Sequence, residues 1–259
     1  MFAAMSHDTL KGNQARMILS VAILFISLPL LLSAFPALDQ IYFERLMVAQ
    51  GMTRGTAEVF HQDQLGFVWI GTQKGLNRFD GQQFSHFTHD EDNENSLSNN
   101  DIKSLHQDSK GTLWIGTTDG LNRYNVSQER FTRYKPADSP TSGDYSNHIT
   151  SIAPADRDAL WIGTAETGLF RFTPKTAKFT KIELPARFFP ARQQNHLLAL
   201  LPSKDDTLWI GTNGAGLFSF NPISNEFRHF TSSPGSTTLI PSNTVRCIIE
   251  ASDGRIWVR

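Results

Sequence analysis

Five tryptophans at steps of 45, 47, 48 and 48 residues, four of them inside an identical Trp-Ile-Gly-Thr tetrapeptide, predict an all-β fold of tandem propeller blades. A period of this length, with several short strands and turn residues in each unit, is the mark of a radial repeat architecture. The expected fold is a β-propeller of four-stranded antiparallel blades. Four blades are complete and a fifth is begun, and one hydrophobic helix precedes them.

The tetrapeptides begin at Trp69, Trp114, Trp161 and Trp209, and Trp257 opens the fifth unit. A Gly-Leu pair follows each complete one: Gly75-Leu76, Gly120-Leu121, Gly168-Leu169 and Gly216-Leu217. Three residues past each leucine stands a ring, at Phe79, Tyr124, Phe172 and Phe220. A polar turn then leads to a spaced apolar pair, Phe84 and Phe87 in the first unit and Phe227 and Phe230 in the fourth.

The innermost strand precedes the tryptophan, as in 101–107 or 244–250, with apolar or small residues on both faces, as a strand packed between neighbouring sheets requires. Asp63-x-x-Gly66 and Asp108-x-x-Gly111 supply the turn into the tryptophan strand, because Asp and Gly accept tight-turn dihedrals. Asp80-Gly81, Thr173-Pro174 and Asn221-Pro222 turn into the fourth strand. The tryptophans, one per unit and inside a strand, read as core residues.

Residues 17–38 carry no charge, follow Lys11 and Arg16, and precede Asp39. Such a run crosses a hydrocarbon core of about 30 Å at about 1.5 Å per residue. Basic residues ahead of it stay in the cytoplasm, so the sequence predicts export of everything after Asp39. The expected division is a cytoplasmic stub with a signal peptide or membrane anchor over 1–38, and a partial propeller over 39–259. The stretch 41–48 reads as a strand that completes a last blade, and the open faces of a partial ring predict self-association.

A formal charge of −1 gives no basic field, so nucleic-acid binding has no electrostatic footing. The single cysteine, Cys247, excludes an internal disulfide framework and any multi-cysteine metal site. His61 and His106 share one repeat position, but Ala153, Leu201 and Ile249 fill it elsewhere, which makes it an ordinary inner-strand slot. The acidic stretch 90–95 has the spaced oxygens of a calcium loop but lacks its central glycine and terminal glutamate, and reads as a solvated loop. No phosphate loop, hydrolase set, metal site or cofactor motif is legible, so whether the chain is an enzyme stays open.

These motifs resemble the two-component regulator propeller repeat, whose signature is a Leu-Trp-Ile-Gly-Thr strand, a Gly-Leu turn and an aromatic strand. Leu113 to Thr117 with Gly120-Leu121-Asn122-Arg123-Tyr124 carries it almost completely, and Asn95-Ser96-Leu97-Ser98-Asn99-Asn100 fits the family's connection. The resemblance implies a seven-bladed extracytoplasmic sensor of a membrane receptor, in the inner membrane with its propeller in the periplasm. Its output domain, a histidine kinase or nucleotide cyclase, would lie outside this chain, and a homodimer is the expected receptor state.

Binding residues of such a scaffold sit on its loops. The turns after the tryptophan strands collect Gln73, Lys74, Asp119, Glu166 and Asn213, and Asn100, Asn147, His196 and Asn243 lie near the inner strands. The connection 184–195 adds Arg187, Phe188 and Arg192. The expected ligand is a small molecule or saccharide. An exported propeller enzyme of lyase or dehydrogenase type and a protein-docking propeller are the alternatives.

Overall fold

The Asp-x-x-Gly turns fold as their composition requires, and they do a second job. In the computed structural model, which describes residues 51–53, 55–136, 147–156, 158–185, 196–232 and 240–259, Asp63 Oδ1 accepts the N–H groups of Leu65 and Phe67, both at 3.0 Å. Its other oxygen, Oδ2, accepts the indole N–H of Trp69 at 2.8 Å. Asp108 repeats this with Lys110, Thr112 and Trp114, the last at 2.9 Å. One carboxylate thus shapes the turn and satisfies the polar atom of a buried ring, which would otherwise cost free energy.

Each turn lies within a four-stranded antiparallel blade. The first contains β1 (Ala57–Gln62), β2 (Val68–Thr72), β3 (Gly75–Phe79) and β4 (Phe84–Phe87). The second contains β5 (Ile102–Gln107), β6 (Leu113–Thr117), β7 (Gly120–Asn125) and β8 (Arg130–Tyr134). The third contains β9 (Ile149–Pro154), β10 (Leu160–Thr164), β11 (Leu169–Thr173) and β12 (Lys178–Ile182). The fourth contains β13 (Leu197–Pro202), β14 (Leu208–Thr212), β15 (Leu217–Asn221) and β16 (Glu226–Phe230). Strands β17 (Ile248–Glu250) and β18 (Ile256–Val258) pair as a two-stranded sheet. The hydrophobic segment 17–38 and the stretch 41–48 lie outside the described residues.

The fifth inner strand is shorter than the sequence predicts. Thr244 forms an isolated bridge with Asn213, and the Val245 N–H donates to Thr212 O at 2.9 Å. Thr244 and Val245 thus bond the preceding blade, while Cys247 exchanges N–H and carbonyl bonds with Arg259, next to the β17–β18 pairing.

The core lies between blades. Trp69 stacks on Phe87 of its own blade and meets Tyr124 of the next edge-on at 5.1 Å. Trp114 meets Phe172 at 5.6 Å, and Trp161 meets Phe220 at 6.0 Å. Burial depends on that next blade: Trp69, Trp114 and Trp161 are 2%, 1% and 5% exposed, whereas Trp257 is 59% exposed. Trp209, which faces only the two-stranded sheet, is half-buried. The following blade completes the cover of each ring, and no described residues follow Arg259 to cover Trp257.

The glycine of the tetrapeptide sets how closely blades approach. A Cβ on Gly71 would stand 2.6 Å from Ile102 Cγ2, and one on Gly116 would stand 2.6 Å from Ile149 Cγ2, both on the next inner strand. Replacing Gly116 with Ala is therefore expected to destabilise the protein by about 1–3 kcal/mol through overpacking. Replacing Trp114 with Ala should cost about 3–5 kcal/mol through the cavity left. Urea unfolding followed by circular dichroism measures both, and an unchanged midpoint for either variant contradicts the packing described.

Candidate functional site

The threonine after each such glycine closes the turn into the third strand. Thr72, Thr117, Thr164 and Thr212, all fully buried, donate to the carbonyls of Gly75, Gly120, Gly168 and Gly216 at 2.7–3.1 Å. The next residue then reaches the neighbouring inner strand. The N–H groups of Thr118, Ala165 and Asn213 donate to the carbonyls of Asp101, His148 and His196 at 2.9–3.1 Å. This repeated bond holds three titratable residues at one end of the inner strands, around the mouth of the repeat.

A second device aims further side chains at the same mouth. Pairing between the first and second strands of each blade shifts by one residue, leaving Glu58, Lys103, Thr150 and Leu198 unpaired in β-bulges. A bulge re-aims one side chain and is a common means of shaping a site. Glu58 and Lys103 meet across the first two blades at 2.8 Å, and Lys103 also pairs with Asp101 at 2.9 Å. Gln73 Nε2 donates to the other Glu58 oxygen at 2.8 Å.

The charge pattern continues around the mouth. Burial would raise the Glu58 carboxyl, but the hydrogen bonds from Lys103 and Gln73 together outweigh it and hold the carboxyl below its ordinary value. Burial opposes the charge on Lys103 too, and its bonds to Glu58 and Asp101 raise it nonetheless. His148 is lowered by burial and then by the Lys103 charge, with Asp101 and Glu58 acting in the opposite sense. His196 is lowered by burial and then by Arg246, and its Nδ1 lies 3.4 Å from Asn213 Nδ2. Acidic, basic and imidazole groups from five successive units thus line one rim.

The sequence-predicted residues divide on this geometry. Gln73 and Asn213 join the rim. Asp119 is turned toward Lys135 of its own blade, with which it pairs at 2.9 Å. Lys74 and Glu166 are exposed on the same turns. Arg187, Phe188 and Arg192 lie outside the described residues. Asn100 and Asn243 are structural: each carbonyl accepts the N–H of the preceding blade's turn glycine, Gly75 at 2.8 Å and Gly216 at 2.7 Å. Their side chains accept the N–H groups of His89 and Ser232. Pro136 replaces His89 in the second blade and has no N–H, and the buried Asn147 Oδ1 has no partner among the described residues.

Sequence reading missed Glu58, Lys103 and His148. The signal was present, because the bulge position lies eleven residues before each tryptophan and holds Glu58, Lys103, Thr150, Leu198 and Arg246. A strict two-residue alternation hides it, since the bulge breaks the period.

Two other candidates resolve differently. Arg133 fills the acidic loop, its guanidinium donating to the carbonyls of Ser96 at 2.8 Å, Asn93 at 2.8 Å and Asp90 at 3.4 Å. Arg133 thus ties together three backbone carbonyls of this loop. Burial first, then the charge of the nearby His61, lowers His106. Among the described residues no group of three or more His, Cys, Asp or Glu side chains converges.

A family model described as two component regulator propeller matches residues 96–119 and 239–259. Over 56 residues the chain is 30% identical to histidine kinase P4 of Formosa agariphila, covering 22% of this chain and 4% of that protein. Among solved structures, the extracellular domain described as that of a hybrid two component system, BT3049 from B. thetaiotaomicron, superposes with a TM-score of 0.68 at 27% identity. The match covers 83% of this chain and 29% of that one. The extracellular domain of BT4673, from the same organism, gives 0.61 at 23% identity over 74% of this chain and 24% of that one, a likeness of fold. The chain therefore spans less than a third of any of these relatives.

The lowered histidines make stability depend on pH. Between the ordinary value of about 6.5 and their folded values, His106, His148 and His196 bind more protons unfolded than folded. Folding is thus expected to weaken as pH falls below about 6.5 and to hold steady above it. Scanning calorimetry should give a melting temperature that declines from about pH 6.5 to about pH 5, before ordinary carboxylates titrate. Replacing all three histidines with Gln should flatten that decline.

Proposed function

From a chain that the two component regulator propeller model matches at residues 96–119 and 239–259, we propose an extracytoplasmic ligand-sensing module of a membrane signalling receptor. The single observation that carries the ligand-sensing reading is the rim of Glu58, Lys103, Asp101, His148 and His196. Its donors and acceptors come from consecutive blades through two repeated devices, the backbone bond and the bulge. Such a rim suits a small polyhydroxylated or weakly charged molecule, a saccharide above all. Each hydroxyl of such a ligand needs a donor and an acceptor, and the rim alternates them. Rigid β-scaffold behind the rim keeps the ordering cost of binding low.

In this reading residues 17–38 carry the chain through the membrane and the propeller stands in the periplasm. Ligand binding across blades would tighten the ring and bias an output domain elsewhere in the receptor, which acts as a homodimer. The extracellular placement of the BT3049 domain supports the location.

A saccharide panel screened by thermal shift tests the ligand, since a compound at 100 times its Kd adds about 2.7 kcal/mol to stability. Replacing Lys103 with Ala should weaken the hit by about tenfold or more, the loss of a charged hydrogen bond. A panel with no hit, or a hit that binds Lys103→Ala as tightly, removes this rim as the site. For the location, an alkaline phosphatase reporter fused after Arg259 is expected to be active. An active cytoplasmic reporter there reverses the topology.

A further inference from the structure

Arg78 in β3 fills the gap between the first two blades. Its guanidinium lies over the rings of Phe67, Trp69 and Phe87, at 5.0, 5.7 and 5.7 Å from their centres. It donates to the Tyr124 hydroxyl and to Glu129 Oε1 of the second blade, both at 3.2 Å. This gap is a slot that holds a flat group on aromatic faces.

The repeat places Arg171 at the same position of the third blade, facing the fourth. There both acceptors are gone. Phe220 stands for Tyr124 and has no hydroxyl. Asn225 stands for Glu129, and the two share a left-handed backbone, with φ of 56° and 50°. Arg171 instead turns back onto its own blade, where Nη2 and Nε reach Asp156 Oδ1 at 2.7 and 3.1 Å.

The gap it leaves is a cleft of about 650 Å³ floored by Trp161, Leu208 and Phe220, with Ile182 and Asn225 on its walls. That volume is within the range of small-molecule sites. The cleft opens at the end of the blades away from the charged rim, beside the turns that carry Asp156 and Ser203.

We propose that the cleft between the third and fourth blades binds a small uncharged ligand with a planar ring. Blade spacing makes it a slot, its floor is aromatic and aliphatic, and the Arg171 charge is already paired with Asp156. With Phe220 and Asn225 in place of Tyr124 and Glu129, the carboxylate that draws a cation into the first gap has no counterpart at its own position. Of the two carboxylates that line the cleft, Asp156 is paired with Arg171 and Asp206 lies on the turn after the fourth blade's inner strand. The Asn225 carboxamide offers the ring substituents one donor group and one acceptor. The site is separate from the rim and independent of the saccharide reading.

The probe is N-phenyl-1-naphthylamine, an uncharged bicyclic amine whose fluorescence rises in apolar surroundings, titrated into the full 259-residue chain. Saturable binding is expected. The Phe220→Tyr, Asn225→Glu variant restores both acceptors, draws Arg171 across the gap and should weaken binding by about tenfold or more. Its circular dichroism should remain native, and Asn225→Glu alone should act in the same direction. Arg78→Ala empties the first gap and should add a second equivalent of bound probe. No saturable binding, unchanged affinity in the acceptor-restored variants, or no added equivalent in a folded Arg78→Ala protein would each overturn the proposal.

Discussion

The architecture depends on how closely one blade can lie on the next, and a missing side chain decides it. At Gly71 and Gly116 the next inner strand occupies the space that a Cβ would need. Gly163 and Gly211 are crowded in the same way, by Leu197 and by Val245. Because the blades touch there, the tryptophan two residues earlier meets the aromatic ring of the following blade and loses its exposure to water. Large aromatic rings bury the most apolar area per residue, so the inter-blade seam holds most of the driving force. The burial of the five rings follows from it, from Trp114 between two blades to Trp257 at the last described strand.

The same close approach builds the charged rim. Once the glycine seats one blade, the threonine beside it caps the turn, and the following N–H bonds the residue that opens the same blade's inner strand. That bond fixes Asp101, His148 and His196 at equal heights, and the bulge beside them turns Glu58 and Lys103 to the same end. Polar groups placed by backbone hydrogen bonds need little reordering when a ligand arrives, which is what a sensing surface requires. Partly buried ion pairs here are weak grounds for stability, so their positions speak more for recognition than for folding.

Equal backbones carry unequal side chains, and that inequality gives the seams different chemistry. Asp63 and Asp108 hold the indole N–H groups of the first two blades, while Ala155 and Ser203 stand at that position in the third and fourth. The buried Asn77 and Asn122, which anchor Thr53 and Ser98, give way to Phe170 and Phe218. The first two blades therefore carry internal polar contacts at positions where the next two carry apolar or aromatic side chains or a lone serine. The open cleft lies in the aromatic half, where an arginine found no acceptor across the gap.

The sequence alone determined the four complete blades, their four-strand order, the turns and the ring that each tryptophan strand buries. Each of these is written in residues a fixed distance from a tryptophan, and short-range geometry converts that distance into structure. The alternation rule carried the inner strands only as far as the bulge, so Glu58 and Lys103 went unread although both occupy one repeat position. Tertiary structure alone decided which of the loop residues meet. Gln73 reaches Glu58 across its own blade, Asp119 turns to Lys135, and Arg171 folds back where Arg78 reaches across. The contrast between Arg78 and Arg171 depends on acceptors that the following blade supplies in one case and not in the other. The ones that hold Arg78 lie 46 and 51 residues further along the chain, a distance over which local sequence carries no geometric information.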